Sequence, residues 1–174
     1  MKDIMVDLET LGTGANSAII SIGACYFDEY GIGKTFYMPI DPRDSVQQGL
    51  EIDVDTVIWW MQQSDQARNV FVNTDRAFSL ETALREFSEF CQNDARVWGN
   101  GAAFDNVILG NAYKALNKEQ PWKFWNDRCY RTMKATYKDV TYTRSGTHHN
   151  AVEDAITQAS HMISICQKYG IVLS

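Results

Sequence analysis

Two carboxylates one residue apart, Asp7 and Glu9, are the first residues of this sequence whose types and spacing suit chemistry. They lie in an alternating run over residues 4–10, where period two sends both side chains to the same face. Like charges this close repel unless a proton or cation sits between them. A hard divalent cation such as Mg²⁺ takes oxygen ligands and is often held by one or two carboxylates plus substrate phosphate. Solvated acids on an exposed strand face are the plainer reading of the pair taken alone. A third acid, Asp105, ends the stretch Asn100-Gly101-Ala102-Ala103-Phe104-Asp105. It reads as the start of a helix, where an acid also simply suits the macrodipole. A fourth, Asp154, lies inside an amphipathic helix beside Ala151 and Ala155, and an acid next to a buried stripe needs a partner. His149 stands just before that helix, and imidazole suits proton abstraction near neutral pH. His148 and Glu153 are the local rivals for these roles.

The elements that must position these groups are readable from periodicity. Residues 4–10 read as a strand with Ile4, Val6 and Leu8 toward the core and Met5, Asp7 and Glu9 on the opposite face. Residues 18–27 and 34–40 read as two further strands, and the short turn-rich connections predict an antiparallel meander. Helical spacing then takes over at residues 53–63, which carry Trp59 and Trp60, and again after Ser79, a suitable N-cap. A short strand at 96–99 precedes a helix over 105–116. A short helix is expected over 131–137 and a long one over 151–169. Strands followed by helices alternating with short strands predict one α/β layered domain across residues 1–174.

Composition agrees with that class. The chain has 174 residues, 45% hydrophobic and 22% charged, enough to bury a core in one domain. No run approaches the roughly 18 apolar residues of a membrane span. Acid interrupts the N-terminus before any apolar segment forms, so no signal peptide is read and a cytoplasmic location is expected. Cys25, Cys91, Cys129 and Cys166 are widely spaced without a Cys-x-x-Cys pair, which argues against a zinc site or a disulfide framework. The formal net charge of −6 hides an asymmetry: residues 114–144 hold eight basic and three acidic side chains, or +5, and the remainder carries −11. An acidic body with one basic segment can hold a polyanion locally, above all where bound metal neutralises a carboxylate cluster.

The order Asp-x-Glu, Asn-x-x-x-Phe-Asp and His-x-x-x-x-Asp resembles the DEDDh family of 3′–5′ exonucleases, most of all its small phage, prophage and bacterial members. The likeness runs from Asp7 to Asp154 and includes the flanking words Met5-Val6-Asp7-Leu8-Glu9-Thr10-Leu11-Gly12 and His149-Asn150-Ala151-Val152-Glu153-Asp154-Ala155. It implies an RNase H-like three-layer fold, with a mixed central sheet of an antiparallel meander and short parallel strands flanked by helices. Asp7, Glu9, Asp105 and Asp154 would hold two Mg²⁺ or Mn²⁺ ions, and His149 would take the proton from an attacking water. Nucleoside 5′-monophosphates would leave the 3′ end of single-stranded nucleic acid, with DNA slightly favoured over RNA. The resemblance also admits a homodimer. By the same likeness Thr10 and Leu11 touch the terminal nucleotide. Phe104 is placed to stack a base. Trp59 and Trp60 point about 100° apart, so one can be core and the other a stacking platform. Arg128, Arg131 and Lys134 are candidate phosphate contacts. The competing readings are an exoribonuclease, a non-catalytic nucleic-acid-binding module, and a hydrolase of small phosphodiesters.

Overall fold

The computed structural model describes residues 2–72, 76–91, 94–144 and 149–173. Three strands open the chain: β1 (Asp3–Thr10), β2 (Ile19–Asp28) and β3 (Gly31–Pro39). Three short helices follow, α1 (Pro42–Gln47), α2 (Val54–Met61) and α3 (Asp65–Arg68). Next come α4 (Leu80–Phe90), β4 (Arg96–Gly99), α5 (Asp105–Ala115), β5 (Asp127–Cys129), α6 (Tyr130–Thr136) and α7 (Ala151–Tyr169). Side-chain caps set several helix starts: Asp53 accepts from the Asp55 N–H, Ser79 from Thr82, and Asn150 from Glu153. The left-handed Gly170 (φ 63°) ends α7.

The five strands form one mixed sheet in the order β3-β2-β1-β4-β5. β1 pairs antiparallel with β2, and β2 with β3; β4 runs parallel to β1, and β5 parallel to β4. A buried polar cluster sits where β4 joins: Asp3 accepts from the Arg96 guanidinium and from the Trp98 indole N–H (2.7 Å), across the Asp3–Arg96 register.

Helices cover both faces of the sheet. On one, Ile4, Val6, Leu8, Ile20 and Ile22 pack against α4 and α5 through Leu84, Phe87, Ile108 and Leu109. On the other, Met5, Cys25, Phe27 and Trp98 pack against Ala155, Ala159, Met162 and Cys166 of α7 and Tyr130 of α6. This corrects one expectation. The β1 face that carries Asp7 and Glu9 is not an exposed strand face, because α7 lies over it, and Glu9 is buried. Gly23 makes that approach close. It stands opposite Asp7 on β2, and a Cβ there would come within 2.1 Å of the Ala151 carbonyl carbon and the Val152 nitrogen. The start of α7 is therefore seated directly on the sheet beside the β1 carboxylates.

Candidate active site

Three elements bring four carboxylates together. Asp7 and Glu9 come from β1, Asp105 from the first turn of α5, and Asp154 from the first turn of α7. Hydrogen bonds fix Asp7 and Asp105 in place. The Leu8 N–H donates to Asp105 Oδ1 (3.2 Å), tying α5 to the middle of β1. Asn106 Nδ2 donates to the Val97 carbonyl (2.9 Å) and to Asp127 Oδ1 (2.8 Å), holding the start of α5 against β4 and β5. Gly99 leaves room for this, since a Cβ there would lie 2.4 Å from Asn106 Oδ1. Gln158, one turn beyond Asp154 on α7, donates to Asp7 Oδ1 (2.7 Å). Its place four residues after Asp154, on the same helix face, was the signal that could have marked it.

His149 lies in the left-handed region (φ 63°), a conformation that costs a side-chain-bearing residue energy. Its N–H donates to Asp154 Oδ2 (3.1 Å), so base candidate and carboxylate are fixed to one another. The imidazole meets Trp59 and Trp60 edge-on, with ring centroids 5.0 Å and 5.7 Å away. Ligand atoms of Glu9, His149 and Asp154 all lie within 4.8 Å of one another. His148 lies outside the described residues.

The electrostatics follow from burial. Desolvation, then repulsion from Asp105, Glu9 and Asp154, holds the Asp7 carboxyl well above the usual carboxylate range. Desolvation also pushes Glu9 up to about 8, again with help from Asp154 and Asp105. Asp105 is pushed up to about 7 by burial, against the lowering pull of the Leu8 N–H. Such a cluster is ionised near neutrality only when cations offset it. Asp105 Oδ2 is buried and has no hydrogen-bond partner in the protein, so it keeps a lone pair for a ligand. A donor set of carboxylate oxygens with such an atom fits hard cations, Mg²⁺ or Mn²⁺.

Asp7, Glu9, His149 and Asp154 line a cavity of about 670 Å³, with Thr10, Trp59, Trp60, Asn100 and Phe104 also in its wall. His149 also borders a second cavity of about 430 Å³. The two tryptophans divide as a helix turn requires: Trp60 is 3% exposed and donates through Nε1 to the Thr10 carbonyl (2.9 Å), whereas Trp59 is 41% exposed. Leu11 is buried beside the site. Its side chain joins the larger core cluster. Its N–H pairs with the Ala18 carbonyl, and its carbonyl accepts from the Asp53 N–H. The basic residues expected at phosphates have protein partners. Arg131 donates twice to the Asn100 carbonyl (3.0 and 2.7 Å), Arg128 to the Trp125 carbonyl (2.9 Å), and Lys134 Nζ lies 4.0 Å from the Tyr142 ring centre. A residue the sequence did not mark, Arg144, pairs with Asp154.

The family match shows a 3′–5′ exonuclease, a hydrolase of phosphodiester bonds, on the fold of the DEDDh enzymes. The chain belongs to the family of the 3′–5′ exoribonuclease Rv2179c-like domain, whose sequence model matches residues 2–166. It is similar to an exodeoxyribonuclease of Enterobacteria phage T4, at 26% identity over 76% of this chain and 70% of the relative. Among solved structures it resembles exonuclease I (TM-score 0.69, 13% identity, 95% of this chain) and spans 40% of that longer chain. It also resembles the nuclease domain of 3′hExo, a DEDDh family member bound to rAMP, with TM-score 0.64 and 12% identity over 95% of this chain and 92% of that one. At such identities the structural likeness speaks for the fold.

Proposed function

We propose that this chain, acting as one exonuclease domain, removes nucleoside 5′-monophosphates one at a time from the free 3′ end of single-stranded nucleic acid. The observation that carries this is the meeting of four carboxylates from three elements: Asp7, Glu9 and Asp154 line one cavity with His149, and Asp105 is buried behind them with Oδ2 left without a protein partner. Asp7, Glu9, Asp105 and Asp154 would hold two Mg²⁺ or Mn²⁺ ions. When bound, such ions lower the pKa of water and stabilise a leaving oxygen at phosphorus.

The chain's own groups do the rest. His149 takes the proton from the attacking water, and T-shaped contacts with Trp59 and Trp60 hold its ring for this. Gln158 keeps the Asp7 carboxylate turned into the site. Thr10, through its position at the end of β1, and Phe104, beside Asp105 on the cavity wall, frame the terminal nucleotide, and the exposed part of Trp59 stacks its base. The phage relative supports DNA as substrate, and the family description supports RNA. The test is hydrolysis of one 3′-tailed oligonucleotide in its DNA and RNA forms, with Mg²⁺ or Mn²⁺ and with chelator. Shortening of either strand that requires the metal supports the reading. Equal rates in excess chelator would remove it.

A further inference from the structure

Arg144 lies between α6 and α7, outside all three motifs, and its guanidinium pairs with Asp154 Oδ1. The pair is partly sheltered, with the Arg144 side chain 32% and the Asp154 side chain 10% exposed. Among the described residues Arg144 is the one lysine or arginine in the wall of the main cavity, where Asp7, Glu9, Asp53, Asp55 and Asp154 supply five carboxylates. Its charge also acts on Glu9, opposing what burial does to that carboxyl.

The approach to Arg144 is anchored. The Val140 carbonyl and the Tyr142 ring both rest on His161 of α7, at 3.1 Å and at a 5.4 Å ring separation. Lys134 of α6 stands over the same tyrosine, 4.0 Å from its centre. Arg144 is only two residues beyond that anchor, so its long side chain can turn within the cavity while α7 stays in place.

Asp154 has two oxygens. Oδ2 accepts the His149 N–H, and Oδ1 is the atom Arg144 covers. A divalent cation on Asp154 needs an oxygen, and a guanidinium on Oδ1 competes with it for the same lone pairs. We propose that Arg144 exchanges partners. It neutralises Asp154 while no cation is bound. Once Asp154 is committed to a cation, it turns to a phosphodiester oxygen of the incoming strand, which a guanidinium can grip with two parallel N–H groups. This rests on the reading of Asp154 as a metal ligand given above.

The exchange predicts effects of opposite sign from one substitution. Mn²⁺ binding by calorimetry without substrate, and KM for a single-stranded oligonucleotide, are measured for wild type, Arg144→Gln and Arg144→Lys. Arg144→Gln should bind Mn²⁺ about 2- to 5-fold more tightly, the scale of a partly exposed ion pair. Its KM should rise by about tenfold or more, the loss of one charged hydrogen-bonding contact to phosphate. Arg144→Lys should keep near-wild-type Mn²⁺ affinity but share the higher KM, because an ammonium lacks the two-pronged grip. Weaker or unchanged Mn²⁺ binding by Arg144→Gln, with wild type binding normally, would overturn the exchange and leave the metal site standing. Wild-type protein that takes up no Mn²⁺ would overturn the metal site and the exchange with it.

Discussion

His149 occupies a strained backbone position, and its own N–H is spent on Asp154, so the structure fixes the residue on both sides. A metal ligand and a general base are separable by experiment. His149→Ala should bind Mn²⁺ nearly as wild type does by calorimetry, because the carboxylates remain, while kcat falls by about 10²–10⁴-fold. Loss of Mn²⁺ binding in step with kcat would make it a ligand instead. The five motif residues were legible only as a set, since Asp7 with Glu9, Asp105 and His149 each have a plainer reading alone and it is their order along the chain that resembles the exonuclease family. Arg144 was not: ten residues separate it from Asp154, and no periodicity links a loop arginine to a helix acid. Thr10 borders the cavity and Leu11 beside it joins the core, a difference between two equally buried neighbours that residue type alone does not reveal.

Element by element, α2 makes the sharpest division. Its one-residue step of about 100° buries Trp60, which still borders the cavity, and leaves Trp59 41% exposed on the same wall. Trp60→Ala should cost about 3–5 kcal/mol of stability, since a large buried side chain that also binds the Thr10 carbonyl is lost. Trp59→Ala should leave the melting temperature within a few degrees and raise KM by roughly 5- to 150-fold, the equivalent of about 1–3 kcal/mol of base stacking. Thermal melts and steady-state kinetics on both variants check this, and a reversal of the two patterns would contradict it. The meander, β4 and the helices α4, α5 and α7 were readable because their apolar residues repeat over several turns or pleats. β5 was not, because Asp127–Cys129 is three residues long and all three are half-buried. The short α1 escaped for the same reason, its start set by Asp41 and Pro42 rather than by an apolar face.

For the molecule as a whole, the carboxylate cluster is a stability cost that cations remove. The folded metal-free chain holds protons on Glu9 up to about pH 8 and on Asp105 up to about pH 7, whereas the unfolded chain releases them in the ordinary carboxylate range. The folded state thus binds more protons between those limits, and stability falls as pH rises through them. Melting temperature in chelator should drop from about pH 4.5 to about pH 8. It should recover at pH 8 on adding Mn²⁺, which binds the folded form, or in Asp7→Asn, which relieves repulsion. A metal-free melting temperature that climbs across that range would contradict the electrostatic account. The net charge of −6 sets the wider field against a polyanion, so bound cations serve substrate attraction as well as chemistry.

Hydrolysis from the 3′ end is tested by following a 5′-end-labelled single strand with Mn²⁺ beside the same strand closed into a circle. The expected result is a ladder that shortens from the 3′ end one nucleotide at a time, release of 5′-monophosphates, an intact circle, and no change in either strand with Asp7→Ala. A cut circle, or a labelled mononucleotide as the first product of the linear strand, would contradict it.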